Sequence, residues 1–76
     1  MCGIVAISGI DKAAELAYLA LYALQHRGQE AAGIVTFDGT TQRSYKGRGL
    51  VSEVFSAETL SGLRGDVAVG HVRYST

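Results

Sequence analysis

Cys2-Gly3-Ile4-Val5-Ala6-Ile7, directly behind Met1, is the stretch from which the fold can be read. A near-continuous apolar run with β-branched residues has the pattern of a strand buried on both faces. The reading places a first strand over residues 2–8, ended by Ser8-Gly9. Cys2, the only cysteine, then occupies the strand's first position, at a sheet end where a ligand can approach. Cysteine is small enough for an aminopeptidase to remove Met1, which would leave Cys2 with a free α-amine. A thiol ordinarily titrates near about 8.5 and an α-amine near about 7.7–8.0. One residue would thus carry a nucleophile and a base able to take its proton, directly or through one water. A cysteine at position two is also read as a small, partly buried residue. Position alone leaves both readings open.

The chain has 76 residues, Lys+Arg 7 against Asp+Glu 7, and a formal net charge of +0. That balance argues against a nucleic-acid or anionic-membrane partner. A hydrophobic content of 47% is globular rather than disordered. A single cysteine makes no internal disulfide and suits a reducing compartment, the cytoplasm. No charged leader precedes an apolar segment, so no signal peptide is expected. Apolar runs fall short of the roughly 20 residues that span a membrane. The chain stops at Arg73-Tyr74-Ser75-Thr76, immediately after a strand, which suggests a piece of a longer protein.

Outward from the first strand, Asp11 is the expected N-cap of a helix over about residues 12–25. Between Ala13 and Leu24 only Glu15 is neither apolar nor aromatic, so Leu16, Leu19, Leu21 and Leu24 read as core. Gly28 suits a left-handed C-terminal position, with His26 and Arg27 in the last turn favouring the dipole. Gly33–Phe37 reads as a second strand, Asp38-Gly39 as a hairpin turn and residues 41–46 as a third strand. Lys46-Gly47-Arg48-Gly49-Leu50-Val51 superficially resembles a phosphate loop. It lacks the Walker spacing and the third glycine of the dinucleotide fingerprint, so it reads as a turn. Short helices follow over residues 52–55 and 57–63, the second capped by Ser56.

Gly65-Asp66 leads into the last strand, residues 67–74. Alternation puts Val67, Val69, His71 and Arg73 on one face and Ala68, Gly70, Val72 and Tyr74 on the other, with Val67-Ala68-Val69 buried on both. Arg73 at the end of a buried strand needs an anionic partner. A structural Asp or Glu satisfies that need, as does a substrate carboxylate held by the guanidinium fork. His26 and His71 lie far apart in sequence, and no Cys/His cluster has metal spacing, so no metal site is expected.

Four segments carry a resemblance that spans residues 2 to 76. Cys2–Ile7 resembles the opening of the class II glutamine amidotransferases. Leu24–Ile34, Lys46–Phe55 and Gly70–Thr76 resemble the branch of that class that serves purine synthesis. The sister branch that makes glucosamine 6-phosphate has Tyr-Arg-Gly-Tyr-Asp where this chain has His26-Arg27-Gly28-Gln29-Glu30, which disfavours it. The resemblance implies an α/β (α+β) fold of the N-terminal nucleophile hydrolase type. That fold is a four-layer αββα sandwich, and residues 1–76 would be the first portion of such a glutaminase domain. It implies that Cys2 attacks the carboxamide of glutamine, that Arg73 holds the substrate α-carboxylate, and that Thr76 lies in the same substrate-binding loop. Arg27 matches an arginine of structural or gating character. The released ammonia would pass to phosphoribosyl pyrophosphate in a further domain, where Mg2+ is expected. Family members differ in carrying an iron–sulfur cluster, and the full-length protein would be a homo-oligomer. The family's oxyanion hole uses an Asn-Gly pair, and this chain has no Asn. A catalytically inactive fragment, or an interaction module built on the same half-fold, therefore stands beside the enzymatic reading for the isolated chain.

Overall fold

The computed structural model describes residues 2–25 and 28–74. The expectations for His26 and Arg27 lie outside them. In chain order the elements are β1 (Cys2–Ser8), α1 (Ala13–Leu24), β2 (Gln29–Phe37), β3 (Gln42–Arg48), α2 (Val51–Val54), α3 (Ala57–Gly62) and β4 (Val67–Tyr74). The strands form one antiparallel sheet in the order β1-β4-β2-β3. The last strand thus enters between the first two, and β1 is an edge. No helix among the described residues is long and apolar enough to cross a membrane.

The expected alternation of β4 holds throughout: Ala68, Gly70, Val72 and Tyr74 are buried, whereas Val69, His71 and Arg73 are exposed. The buried set faces α1, which packs on β4, β1 and β2. Gly70 lets the helix approach, since a Cβ there would come within 2.8 Å of Leu21 Cδ1. Leu21, Ile34, Val51 and Val72 are the largest fully buried apolar side chains of this core. On the β3 side the core is extended by aromatic rings: Phe55 meets Tyr18 edge-on at a 6.2 Å centroid distance and Tyr45 at 6.0 Å.

Among the described residues nothing covers the opposite face of the sheet. Ile4 is 72% exposed and Val69 46% exposed, so the expectation that β1 and residues 67–69 are buried on both faces is not met. The outer side of α1 is open as well. Of the four leucines read as core, only Leu21 is fully buried, and Leu16, Leu19 and Leu24 are exposed. Both departures have one cause. The described residues supply one helical layer and one sheet, while their apolar pattern is written for elements covered on both sides.

Local chemistry sets the ends. Helix α1 begins one residue later than expected and is not capped by Asp11. Lys12 takes the N-cap position in a left-handed conformation (φ 61) without a side-chain cap. The Ala13 N–H donates to Gly65 O at 3.4 Å instead, so a tertiary contact replaces the local cap. Helix α1 ends at Leu24, whose carbonyl accepts a hydrogen bond from the Tyr74 hydroxyl. Gly28 does adopt positive φ (95), but in the turn into β2 rather than at the helix end. The Asp38-Gly39 turn forms as read. Asp38 Oδ1 accepts from the Thr40 and Thr41 N–H groups at 3.0 and 2.7 Å, and Asp38 Oδ2 pairs with Arg43 at 2.9 Å. The Arg43 guanidinium, followed by those two backbone donors, holds the Asp38 carboxyl well below the usual carboxylate range. Ser56 caps α3 by accepting from Thr59 N–H at 3.1 Å.

Candidate active site

Cys2 is the first residue of β1 and is exposed. Its partner across the ladder is Arg73, one residue before the end of β4. Directly paired residues of neighbouring strands point to the same face, so Cys2 and Arg73 share the open face on adjacent strands. Continuing across the sheet, Arg73 pairs with Ala31 of β2, and Ala31 pairs with Arg48 of β3. One row therefore runs Cys2, Arg73, Ala31, Arg48 across all four strands. Ala31 keeps the middle of the row low, and a cleft of about 470 Å³ opens there, lined by Glu30, Ala31, Arg48 and Arg73. The next row inward is Ile4, His71, Gly33, Lys46. His71 lies across Gly33, where a Cβ would come within 2.5 Å of the imidazole Cε1.

Arg73 is not a buried charge: its side chain is 70% exposed. Its anionic neighbour is Glu30, with Arg73 Nε 3.6 Å from Glu30 Oε1. A regular β2 would direct Glu30 away from Arg73, but the register slips by one residue between Gln29 and Ala31. Glu30 is the extra residue of this bulge, and both Glu30 and Ala31 lie opposite Arg73. Bulges commonly re-aim side chains in this way.

Gln29 fixes the bulge from beneath. Its buried amide donates to Ala31 O at 2.9 Å and Gly49 O at 2.8 Å, and accepts from Val51 N–H at 3.0 Å. Gln25 accepts from Ser52 N–H at 3.3 Å, and Glu53 accepts from Leu50 N–H at 2.8 Å. The first N–H groups of α2 are thus satisfied by side chains from the segment that follows α1. The glycine-rich stretch binds the protein's own glutamines here. Lys46 and Arg48 belong to β3, and only Gly49 and Leu50 form the turn.

Of the residues singled out from sequence, the fold brings Cys2 and Arg73 together, and Thr76 lies outside the described residues. Sequence reasoning missed Gln29, Glu30 and Arg48. The Gln29-Glu30 and Gly49-Leu50-Val51 segments carried the resemblance, yet their contact is visible only in three dimensions. Among the described residues no three His, Cys, Asp or Glu gather as a metal site.

A half-covered antiparallel sheet with an α-helical layer, and a cysteine opening its edge strand, has the architecture of the N-terminal nucleophile class. No protein-family model matches the chain. It is 57% identical over 75 residues to amidophosphoribosyltransferase 3, chloroplastic, of Arabidopsis thaliana, covering 99% of this chain and 14% of that protein. It is 56% identical over 78 residues to the amidophosphoribosyltransferase of Methanothermobacter thermautotrophicus, covering 99% of this chain and 16% of that protein. It superposes on the glutamine phosphoribosylpyrophosphate amidotransferase of B. subtilis, solved with ADP and GMP, with a TM-score of 0.89 and 45% identity. That match covers 99% of this chain and 16% of that structure. By sequence and by fold the chain belongs with the amidophosphoribosyltransferases, of whose length it spans about one-sixth.

Proposed function

We propose that this chain forms the nucleophile-bearing part of a glutaminase site. In the longer protein that site would supply ammonia to phosphoribosyl pyrophosphate, giving 5-phosphoribosylamine for purine synthesis. The observation that carries the reading is the Cys2–Arg73 pairing on the open face. It sets a nucleophile one strand spacing from a fork suited to a carboxylate. Glutamine presents a carboxamide at one end and an α-carboxylate at the other, which matches that order of groups. The names of the relatives support the acceptor.

In this reading Met1 is removed and Cys2 bears a free α-amine. The thiol sulfur bonds to the carboxamide carbon as the amine takes its proton. The C–N bond then breaks, and the same proton leaves with ammonia. Water hydrolyses the resulting γ-glutamyl thioester to glutamate and restores the thiol. Arg73 orients the substrate through its α-carboxylate. The oxyanion would be stabilised by donors outside these residues, so the 76-residue chain alone is inactive as a glutaminase. The longer protein works as a cytoplasmic homo-oligomer.

Intact-mass spectrometry of the longer protein tests this, before and after the glutamine analogue diazo-oxo-norleucine. The expected result is loss of the Met1 mass and a single adduct on Cys2, blocked by glutamine. Retained Met1, or an adduct that glutamine leaves unaffected, would remove Cys2 as the nucleophile. Arg73→Gln should raise the KM for glutamine about ten- to a hundred-fold, the range of a charge-assisted hydrogen bond.

A further inference from the structure

We infer that Glu30 is a positioning residue for glutamine, acting through Arg73; the inference rests on the proposed role of Arg73 as the carboxylate holder. Three observations converge on Glu30. The bulge in β2 makes it the extra residue opposite Arg73, on the face that carries Cys2. Its carboxylate meets Arg73 at Nε, 3.6 Å away. The bulge is itself held by the buried Gln29 amide, which bonds Ala31 O, Gly49 O and Val51 N.

A guanidinium contacted at Nε still offers its two terminal nitrogens as a fork. An arginine whose side chain is 70% exposed would otherwise sample many rotamers, and ordering it on substrate binding costs affinity. Glu30 offsets part of that cost by restraining the stem side of the guanidinium before glutamine arrives. The charges then alternate along the cleft as Glu30, Arg73 and substrate carboxylate. Arg48 lines the same cleft from the far side of Ala31 and moderates the repulsion between the two carboxylates.

The test is glutamine-dependent kinetics of the longer protein carrying Glu30→Gln and Glu30→Asp, each alone and in an Arg73→Gln background. Glu30→Gln is expected to raise the KM for glutamine about two- to five-fold, the scale of an exposed ion pair, while kcat changes less than about two-fold. Glu30→Asp should recover part of the loss, because the charge remains. In the Arg73→Gln background, Glu30→Gln should add nothing further. A fall in KM would overturn the inference, since Glu30 would then be competing with substrate for Arg73. An unchanged KM, or an equal rise with Arg73 absent, would overturn it as well. If Arg73→Gln itself left KM unchanged, the carboxylate-holder reading would fall first, whatever Glu30 did.

Discussion

The two faces of the sheet are built from the same strands and have opposite characters. On the covered face, Ala68, Gly70 and Val72 of β4 pack under α1, and Leu21 fills the gap that Gly70 leaves. On the open face, the intervening Val69, His71 and Arg73 are exposed, beside Ile4 and Cys2 of β1. One face is closed within 76 residues by apolar packing. The other keeps its chemistry accessible, with a thiol, two arginines and a bulge-borne carboxylate in or beside one row. Period-two alternation lets one strand serve both purposes, since neighbouring residues never compete for the same side.

The comparison is sharpest for substitutions of apolar side chains. Leu21→Ala on the covered face should destabilise the chain by about 2–5 kcal/mol, because a fully buried leucine leaves a cavity. Val69→Thr on the open face should stay within about 0.5 kcal/mol, as surface substitutions do. Urea unfolding of both variants decides the matter. Equal losses would mean that the open face is covered in solution.

Adding a methyl to one glycine on each face is the next test in size. Gly70→Ala should cost about 1–3 kcal/mol, since the new Cβ meets the buried Leu21, which has little room to yield. Gly33→Ala meets the imidazole of exposed His71, which can swing towards solvent, so its thermal midpoint should change less. Its signature would be a shifted His71 ring resonance in an NMR spectrum. A larger loss at Gly33 than at Gly70 would show that the open face is the more tightly packed one.

The smallest effect is expected at the rim, at Asp38. Its carboxyl lies below the usual range in the folded chain, so its pairing stabilises the hairpin above the ordinary aspartate value of about 3.9. That contribution fades as pH falls below about 4 towards the folded value. Thermal midpoints of the parent and Asp38→Asn should therefore keep a constant gap between about pH 5 and 7, and converge in acid. A gap that widened in acid would reverse the sign.

Much of this is legible in the sequence. The alternation of β4, the Asp38-Gly39 turn and the Ser56 cap follow from side-chain periodicity and local hydrogen bonding, which nearby residues determine. The start of α1 departs from the Asp11 expectation because the Ala13 N–H finds its acceptor at Gly65, far along the chain. Leu16, Leu19 and Leu24 are exposed despite their apolar pattern, because such a pattern records which surfaces can be covered, without recording whether these residues supply the cover.

The sequence by itself determined the number and chain order of the strands, the face on which each β4 residue lies, and the candidacy of Cys2 and Arg73, but it began β2 at Gly33 instead of Gln29 and ended β3 at Lys46 instead of Arg48. Only the tertiary structure decided that Cys2 and Arg73 are neighbours, because β4 inserts between β1 and β2 and register depends on contacts remote in sequence. It also decided that Glu30 reaches Arg73. A bulge is a one-residue slip in pairing, and it is held by Gln29 reaching twenty residues away to Gly49. No local propensity encodes a slip between two strands, which is settled by the hydrogen bonds that the fold as a whole makes available.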